Sequence, residues 1–201
     1  MRIRRTSAVL MVVAALLSTA VAVVLPARPA RADTMHFLIQ LENAYSRKCL
    51  DLEQWTDDDG LPAVQRECLP HYFDNSGVYT RQWFHEGANY SVPWPLLYDW
   101  FGHYGPKCLE VAAFDTADTA LISQHDCNDG PHQNWQFIPS RISGPPALAV
   151  LYADAFLIRN EYTGKCLTLA AAQTYNDVAI VQRPCYTAGS LQLWWLHDQG
   201  Y

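Results

Sequence analysis

Three stretches of the chain carry the same punctuation in the same register: Asn43-Ala-Tyr45-Ser-Arg-Lys48-Cys49-Leu50, Gly102-His-Tyr104-Gly-Pro-Lys107-Cys108-Leu109 and Asn160-Glu-Tyr162-Thr-Gly-Lys165-Cys166-Leu167. Each first cysteine is followed by a second after one fixed interval, 49 to 68, 108 to 127 and 166 to 185. An echo precedes each second cysteine: Val64-Gln65-Arg66, Ser123-Gln124-His125 and Val181-Gln182-Arg183. Each unit then closes on a tryptophan, in Arg81-Gln-Trp83, Gln133-Asn-Trp135 and Gln192-Leu-Trp194. Such self-similarity marks units that cannot bury their apolar faces alone and must share one core. The expected units are about residues 37–92, 93–148 and 149–201 of a single domain spanning 33–201.

Six cysteines allow fifteen pairings. One bridge per unit, Cys49 with Cys68, Cys108 with Cys127 and Cys166 with Cys185, is the only local pattern identical in all three. No C-x2-C spacing is present, so the cysteines do not read as metal ligands, and neither metal nor cofactor is expected. Each bridge would close a loop worth about 3 kcal/mol on the chain-entropy estimate. Such bridges persist in oxidising compartments.

The N-terminus supplies the route there. Arg2, Arg4 and Arg5 precede an uncharged stretch from Thr6 to Leu25, and Ala30-Arg31-Ala32 makes a small-residue cleavage site before Asp33. Residues 1–32 therefore read as a signal peptide, with an uncleaved anchor as the rival reading, since the stretch is long enough to span a bilayer. Beyond Asp33 no apolar run is long enough to insert. The mature chain is expected to be soluble, secreted and extracellular. Five of the fourteen basic residues lie before Asp33, which leaves 9 Lys+Arg against 20 Asp+Glu in residues 33–201, net −11. That charge opposes binding to phosphate backbones, so nucleic acid is not an expected partner.

Short runs such as Phe37–Leu41, Cys49–Leu52, Val64-Gln65 and Phe156–Ile158, separated by turn signals at Asp59-Gly60, Asn128-Asp-Gly130 and Thr163-Gly164, read as strands; no helix stands out. About four strands per unit make a closed or nearly closed all-β architecture. The first unit has extra residues around 70–77, expected to project as a loop. Gly87–Pro95 and Pro139–Ala147 read as linkers.

The K-C-L segments, the evenly spaced cysteine pairs and the terminal Q-x-W together resemble the ricin-B-type lectin family, over about residues 37–200. The resemblance implies a β-trefoil of three pseudo-symmetric repeats. It places Trp83, Trp135 and Trp194 in the shared core and makes the Gln of Q-x-W structural, with Arg81 departing from that Gln in the first unit. It also implies non-catalytic carbohydrate binding in shallow pockets. Each pocket uses a carboxylate two residues after the first Cys, an aromatic two before the second and an Asn just before Q-x-W. Such a pocket joins charge-assisted hydrogen bonds to sugar hydroxyls with a ring against the sugar's apolar face.

Carried over by position, the recipe fits in part. The first unit offers Asp51, with Arg66 and Thr80 in the other two places. The second offers Glu110 and His125, with His132 in place of Asn. The third has Thr168, Arg183 and Leu191 and is expected to be dead. The second pocket thus ranks first and the first pocket second. The plainer alternatives are solvated strand-end carboxylates for Glu110 and Asp51, surface histidines for His125 and His132, and ion pairing for Arg66 and Arg183. Trp55, Trp94, Trp100 and Trp195 fall outside the core pattern and are candidate stacking platforms; Trp55 stands out for lying close to Asp51, and a Trp covering the bottom of the barrel is an equal account of it.

No G-x-S-x-G, H-E-x-x-H or phosphate-cradling glycine loop occurs. Asp57-Asp-Asp-Gly60 starts like a calcium loop, but the later ligands do not follow, so it reads as a turn. Because the repeats consume the mature chain, no enzyme is expected. The expected activity is binding to a glycan or polysaccharide. The alternative is a sugar-silent trefoil acting through its loops, particularly 70–80, as a protein-binding inhibitor or effector.

Overall fold

A computed structural model describes residues 36–54, 56–68, 83–86, 93–98, 107–140, 154–186 and 190–198, all within the unit Asp33–Tyr201; for 36–38, 84–86, 94, 96–98 and 198 it describes the backbone alone. Residues 1–32, the loop 70–80, Trp55, Trp100 and Arg81 lie outside the described residues.

Twelve antiparallel strands run in chain order: β1 (His36–Asn43), β2 (Cys49–Leu52), β3 (Ala63–Arg66), β4 (Trp83–Glu86), β5 (Trp94–Tyr98), β6 (Lys107–Val111), β7 (Ile122–Asp126), β8 (Asn134–Pro139), β9 (Ala155–Asn160), β10 (Cys166–Leu169), β11 (Val178–Arg183) and β12 (Trp194–Asp198). Strands β1, β4, β5, β8, β9 and β12 pair in succession and β12 returns to β1, so the six close on themselves. Closure removes the free edges that would otherwise recruit another chain. The hairpins β2–β3, β6–β7 and β10–β11 cover one end. They touch each other through β3–β11, a Pro62–Ser123 bridge and a Leu121–Val181 bridge. Trp94 and Pro95, expected to end a linker, instead begin β5, where they pair with Trp135 and Asn134 of β8.

The three Q-x-W tryptophans fill the centre: Trp83, Trp135 and Trp194 are fully buried in one cluster with Ile39, Leu50, Leu109 and Leu167. A buried indole N–H needs an acceptor, and each finds the carbonyl of the leucine that follows a first cysteine. Trp83 Nε1 donates to Leu50 O at 3.3 Å, Trp135 to Leu109 O at 2.8 Å and Trp194 to Leu167 O at 3.2 Å. Thus K-C-L and Q-x-W recur together because they are hydrogen-bonded to each other.

All six cysteines pair within their own units, Cys49–Cys68, Cys108–Cys127 and Cys166–Cys185, with Cα separations of 4.9, 5.0 and 5.0 Å. Among the described residues no helix is long and apolar enough to cross a membrane. Trp195 does not stand open as a platform: it is half-buried, with the Arg47 guanidinium 4.5 Å above its ring. Glu42 holds that guanidinium through its Nε at 2.6 Å.

Candidate functional site

Side chains alternate faces along a strand, so in β2, β6 and β10 the leucine after each cysteine enters the core while the cysteine and the residue two beyond it share the opposite face. That geometry puts Asp51, Glu110 and Thr168 in equivalent places. All three are buried, and neither acid is a solvated strand-end carboxylate. Their partners differ. Asp51 Oδ1 accepts the Leu52 N–H at 2.7 Å. Glu110 Oε2 accepts Gln133 Nε2 at 3.1 Å and lies 3.2 Å from His132 Nε2. The Thr168 hydroxyl donates to Cys166 O and accepts Gln192 Nε2 at 2.8 Å.

The second unit carries the fullest constellation. His132 sits in the short 3-10 turn Pro131–Gln133 and is 2% exposed, so the plain surface reading fails for it. Burial holds its pKa below the ordinary imidazole value of 6.5; the charge and hydrogen bond of Glu110 oppose that, and the charge of His125 reinforces it. The ring is therefore neutral at neutral pH. With its proton on Nε2 it donates to Glu110, leaving Nδ1 buried with no partner among the described residues.

Over this ring lies Phe114, with centroids 3.7 Å apart and planes tilted by 37°. Phe114 is 51% exposed. Ala113 and Phe114 both adopt left-handed backbone, φ 52° and 55°, a conformation uncommon for side-chain-bearing residues. The turn they make lies directly after β6, and the Phe114 ring covers His132. Tyr162, from the turn after β9, meets Phe114 edge to face at 5.7 Å and 87°. Sequence reasoning missed Phe114, although it stands six residues after Cys108, the place Trp55 holds after Cys49.

The third unit also positions the floor. Asn160 is fully buried and its Nδ2 donates to His132 O at 2.8 Å and to Asn134 O at 3.3 Å. His125, on β7, is half-exposed, and its Nε2 lies 3.6 Å from Asp59 Oδ2. The structure thus brings Glu110, His125 and His132 into one neighbourhood. Asp51 belongs to the first unit, and Trp55 is outside the described residues. Arg66 takes its ion-pairing alternative, with Nε on Asp177 Oδ1 at 2.7 Å, and also donates to Glu53 O at 2.6 Å. Arg183 reaches Ala170 O, and Leu191 packs against the core.

Asp59 belongs to the turn formed by Asp57–Gly60, where Gly60 has φ 82°. Its carboxylate accepts Lys107 Nζ at 2.6 Å and the Asp126 N–H at 3.0 Å.

A second recurring device holds the loops that frame these pockets. Gln65, Gln124 and Gln182, from the echo before each second cysteine, are fully buried. Each sends its amide N–H groups to two carbonyls of a different unit's hairpin loop. Gln65 Nε2 reaches Gln173 O (3.1 Å) and Tyr175 O (2.7 Å); Gln124 Nε2 reaches Thr56 O (3.0 Å) and Asp58 O (2.7 Å). Gln182 Nε2 reaches Asp115 O (2.8 Å) and Ala117 O (2.9 Å), fixing the loop that carries Phe114. Gln133 and Gln192, from Q-x-W, pin the chain beside the second cysteine through Asp126 O and Pro184 O, both at 2.9 Å.

A closed barrel covered by three hairpins, with an indole from each unit at its centre, has counterparts among solved structures. The designed threefold-symmetric protein ThreeFoil matches with a TM-score of 0.62 at 24% identity, over 80% of this chain and 98% of that one. The fold is a β-trefoil. The trefoil also resembles the C-terminal half of an earthworm R-type lectin, solved in complex with GalNAc (TM-score 0.54, 10% identity, 81% of this chain and 98% of that one). An exo-β-1,3-galactanase from Clostridium thermocellum matches with a TM-score of 0.61 at 20% identity, over 81% of this chain but 30% of the enzyme. No protein-family model matches the trefoil, nor does any curated protein.

Proposed function

We propose that the protein is an exported, non-catalytic glycan-binding module whose working pocket lies in the second repeat. The observation that carries this reading is the layered arrangement there. A buried carboxylate, Glu110, is oriented by Gln133 Nε2 and by a neutral His132, and a half-exposed aromatic ring, Phe114, lies over that imidazole. A pre-oriented carboxylate accepts hydrogen bonds from sugar hydroxyls, and an exposed ring offers apolar area to a pyranose face. His125, on the adjacent strand β7, is the second ring that this reading assigns to the pocket, and Tyr162, in contact with Phe114, extends the aromatic surface from the third repeat. The first pocket, through Asp51 and Trp55, is a second and weaker site. The third is silent because Thr168, Arg183 and Leu191 supply none of the three parts of a pocket. The binding seen for the earthworm lectin, whose structure holds GalNAc, supports the ligand class. The signal-like residues 1–32 and the net charge of −11 on residues 33–201 support an extracellular protein that avoids nucleic acid.

The test is calorimetric titration of the purified protein with galactosides, xylan and mannan fragments. Binding that Glu110→Gln abolishes and Asp51→Asn only weakens supports the assignment. Silence across the panel, with the fold intact, overturns it in favour of a trefoil that acts on another protein.

A further inference from the structure

We infer that the second-repeat pocket selects amino-bearing, cationic saccharides, the class represented by glucosamine oligomers, over their neutral N-acetylated counterparts. The inference rests on the glycan-binding reading above and names its ligand class.

The first ground is the aromatic corner. Phe114 and Tyr162 meet at 87° with centroids 5.7 Å apart, and both are about half exposed. Each ring keeps exposed area, and an ammonium within about 6 Å of a ring centroid is attracted by its quadrupole. An exposed aromatic pair of this kind can attract a compact cation carried on a sugar ring as well as meet a flat sugar face.

The second ground is the charge around the corner. In the chain, Asp115 follows Phe114 and Glu161 precedes Tyr162, and both carboxylates are exposed and held in place. Asp115 Oδ1 accepts the Ala117 N–H at 2.8 Å, and Glu161 Oε2 accepts Asn134 Nδ2 at 2.7 Å. Glu110 lies 3.2 Å from the Nε2 edge of His132, the ring that Phe114 covers. The described cation bound to this loop is Lys165, and its Nζ is already taken by Asp118 Oδ1 at 2.5 Å and by Thr116 O. His132 adds no positive charge at neutral pH, for the burial reason given above. Among the described residues, the aromatic pair is thus flanked in sequence by two exposed carboxylates, and the cation bound to its loop is already paired. The wider field has the same sign, since residues 33–201 carry net −11.

The experiment titrates the protein with glucosamine oligomers and with N-acetylglucosamine oligomers of the same lengths, in low and in physiological salt. The expected result is about tenfold tighter binding of the amino series, equivalent to about 1.4 kcal/mol, shrinking as salt screens the exposed carboxylates. Phe114→Leu keeps an apolar cover on His132 but removes the π face, and Glu161→Gln removes one charge; each is expected to erode the preference while the unfolding midpoint stays near that of the parent. Equal or tighter binding of the N-acetylated series overturns the inference and leaves the glycan-binding reading standing. Absence of binding to any glycan overturns both. A preference for the amino series that survives both substitutions also overturns the inference, because the selectivity would then arise elsewhere.

Discussion

The glutamine clamps between hairpins give the sharpest energetic prediction. Replacing Gln182 by Ala removes the two bonds from Nε2 to Asp115 O and Ala117 O and also the bond that Oε1 accepts from the Thr163 hydroxyl at 2.7 Å. Gln65 and Gln124 make the same two donations, but their Oε1 atoms are buried without a partner among the described residues. At about 0.5–1.5 kcal/mol net per bond, Gln182→Ala should cost about 2–4 kcal/mol and the other two about 1–3 kcal/mol each. The difference, about 1 kcal/mol, is the threonine bond. Thr163→Val should lower Gln182 to the standing of its two counterparts, and the double-mutant cycle should return a coupling of about 1 kcal/mol. Urea unfolding with the disulfides intact measures all of this as midpoint shifts at constant m. The loop held by Gln182 carries Phe114, so glycan affinity should fall in Gln182→Ala and stay near parental in Gln65→Ala, which anchors a different loop. Equal costs for the three alanines, or equal losses of binding, would refute the reasoning.

Other outcomes follow from the pocket and its borders. Glu110→Gln keeps the shape of the floor but removes its charge, and should weaken glycan binding at least tenfold in calorimetry, with a smaller effect on stability than Glu110→Ala. A methyl group on Gly130 would press into the His132 ring and come within 2.8 Å of Asn128 Oδ1, so Gly130→Ala should cost about 1–3 kcal/mol and displace His132, a shift visible in its imidazole NMR signals. Burial raises the Asp59 pKa, but the Lys107 hydrogen bond, the Asp126 N–H and the charges of Lys107 and His125 outweigh it, so the carboxyl lies below its ordinary 3.8. A depressed folded pKa stabilises above the unfolded value, and that contribution is lost as pH falls through the folded one. Acid unfolding of Asp59→Asn should accordingly show a flatter pH dependence below about pH 4 than the parent. His132 adds a slope of the same sign, because its folded pKa lies below 6.5: stability falls as pH drops from there, and His132→Gln should remove that slope.

The parts of the fold that were legible in the sequence are those in which one residue type has one physical use. Equal cysteine spacing gave the bridges, and the leucine after each first cysteine and the Q-x-W tryptophan lie in the core where a shared period would put them. What escaped were uses that depend on a neighbouring unit. The glutamine echo was visible three times, yet its purpose was not, because each Gln bonds to a loop more than sixty residues away in sequence. Tyr162 and Asn160 likewise contribute to a pocket whose floor lies on β6. Phe114 had a visible signal, its register with Trp55, but a lone Phe before an Asp in a loop reads as ordinary turn sequence. The burial of Glu110 and His132 was hidden for another reason: both are polar, and only their contact with each other and with Gln133 makes the interior tolerable for them.

The same dependence on neighbours explains how pocket and scaffold can change separately. At the floor of the second pocket Gln133 Nε2 donates to Glu110; at the equivalent place in the third, Gln192 Nε2 donates to the Thr168 hydroxyl instead, and its other bond, to Pro184 O, matches that of Gln133 to Asp126 O. A carboxylate has therefore been exchanged for a hydroxyl without leaving the scaffold glutamine unpaired. The tryptophan beyond it still reaches its leucine carbonyl, and the bridge still closes. Neither the core nor the clamp registers which residue occupies the floor, so loss of charge there costs the fold little while removing the acceptor a sugar would use. Thr168→Asp tests this directly. The variant should keep the parental unfolding midpoint to within about 1 kcal/mol if Gln192 can hold the new carboxylate as Gln133 holds Glu110. It should not gain sugar binding, because Leu191 and Arg183 still fill the other two places of the pocket. A large destabilisation would show that floor and scaffold are coupled after all.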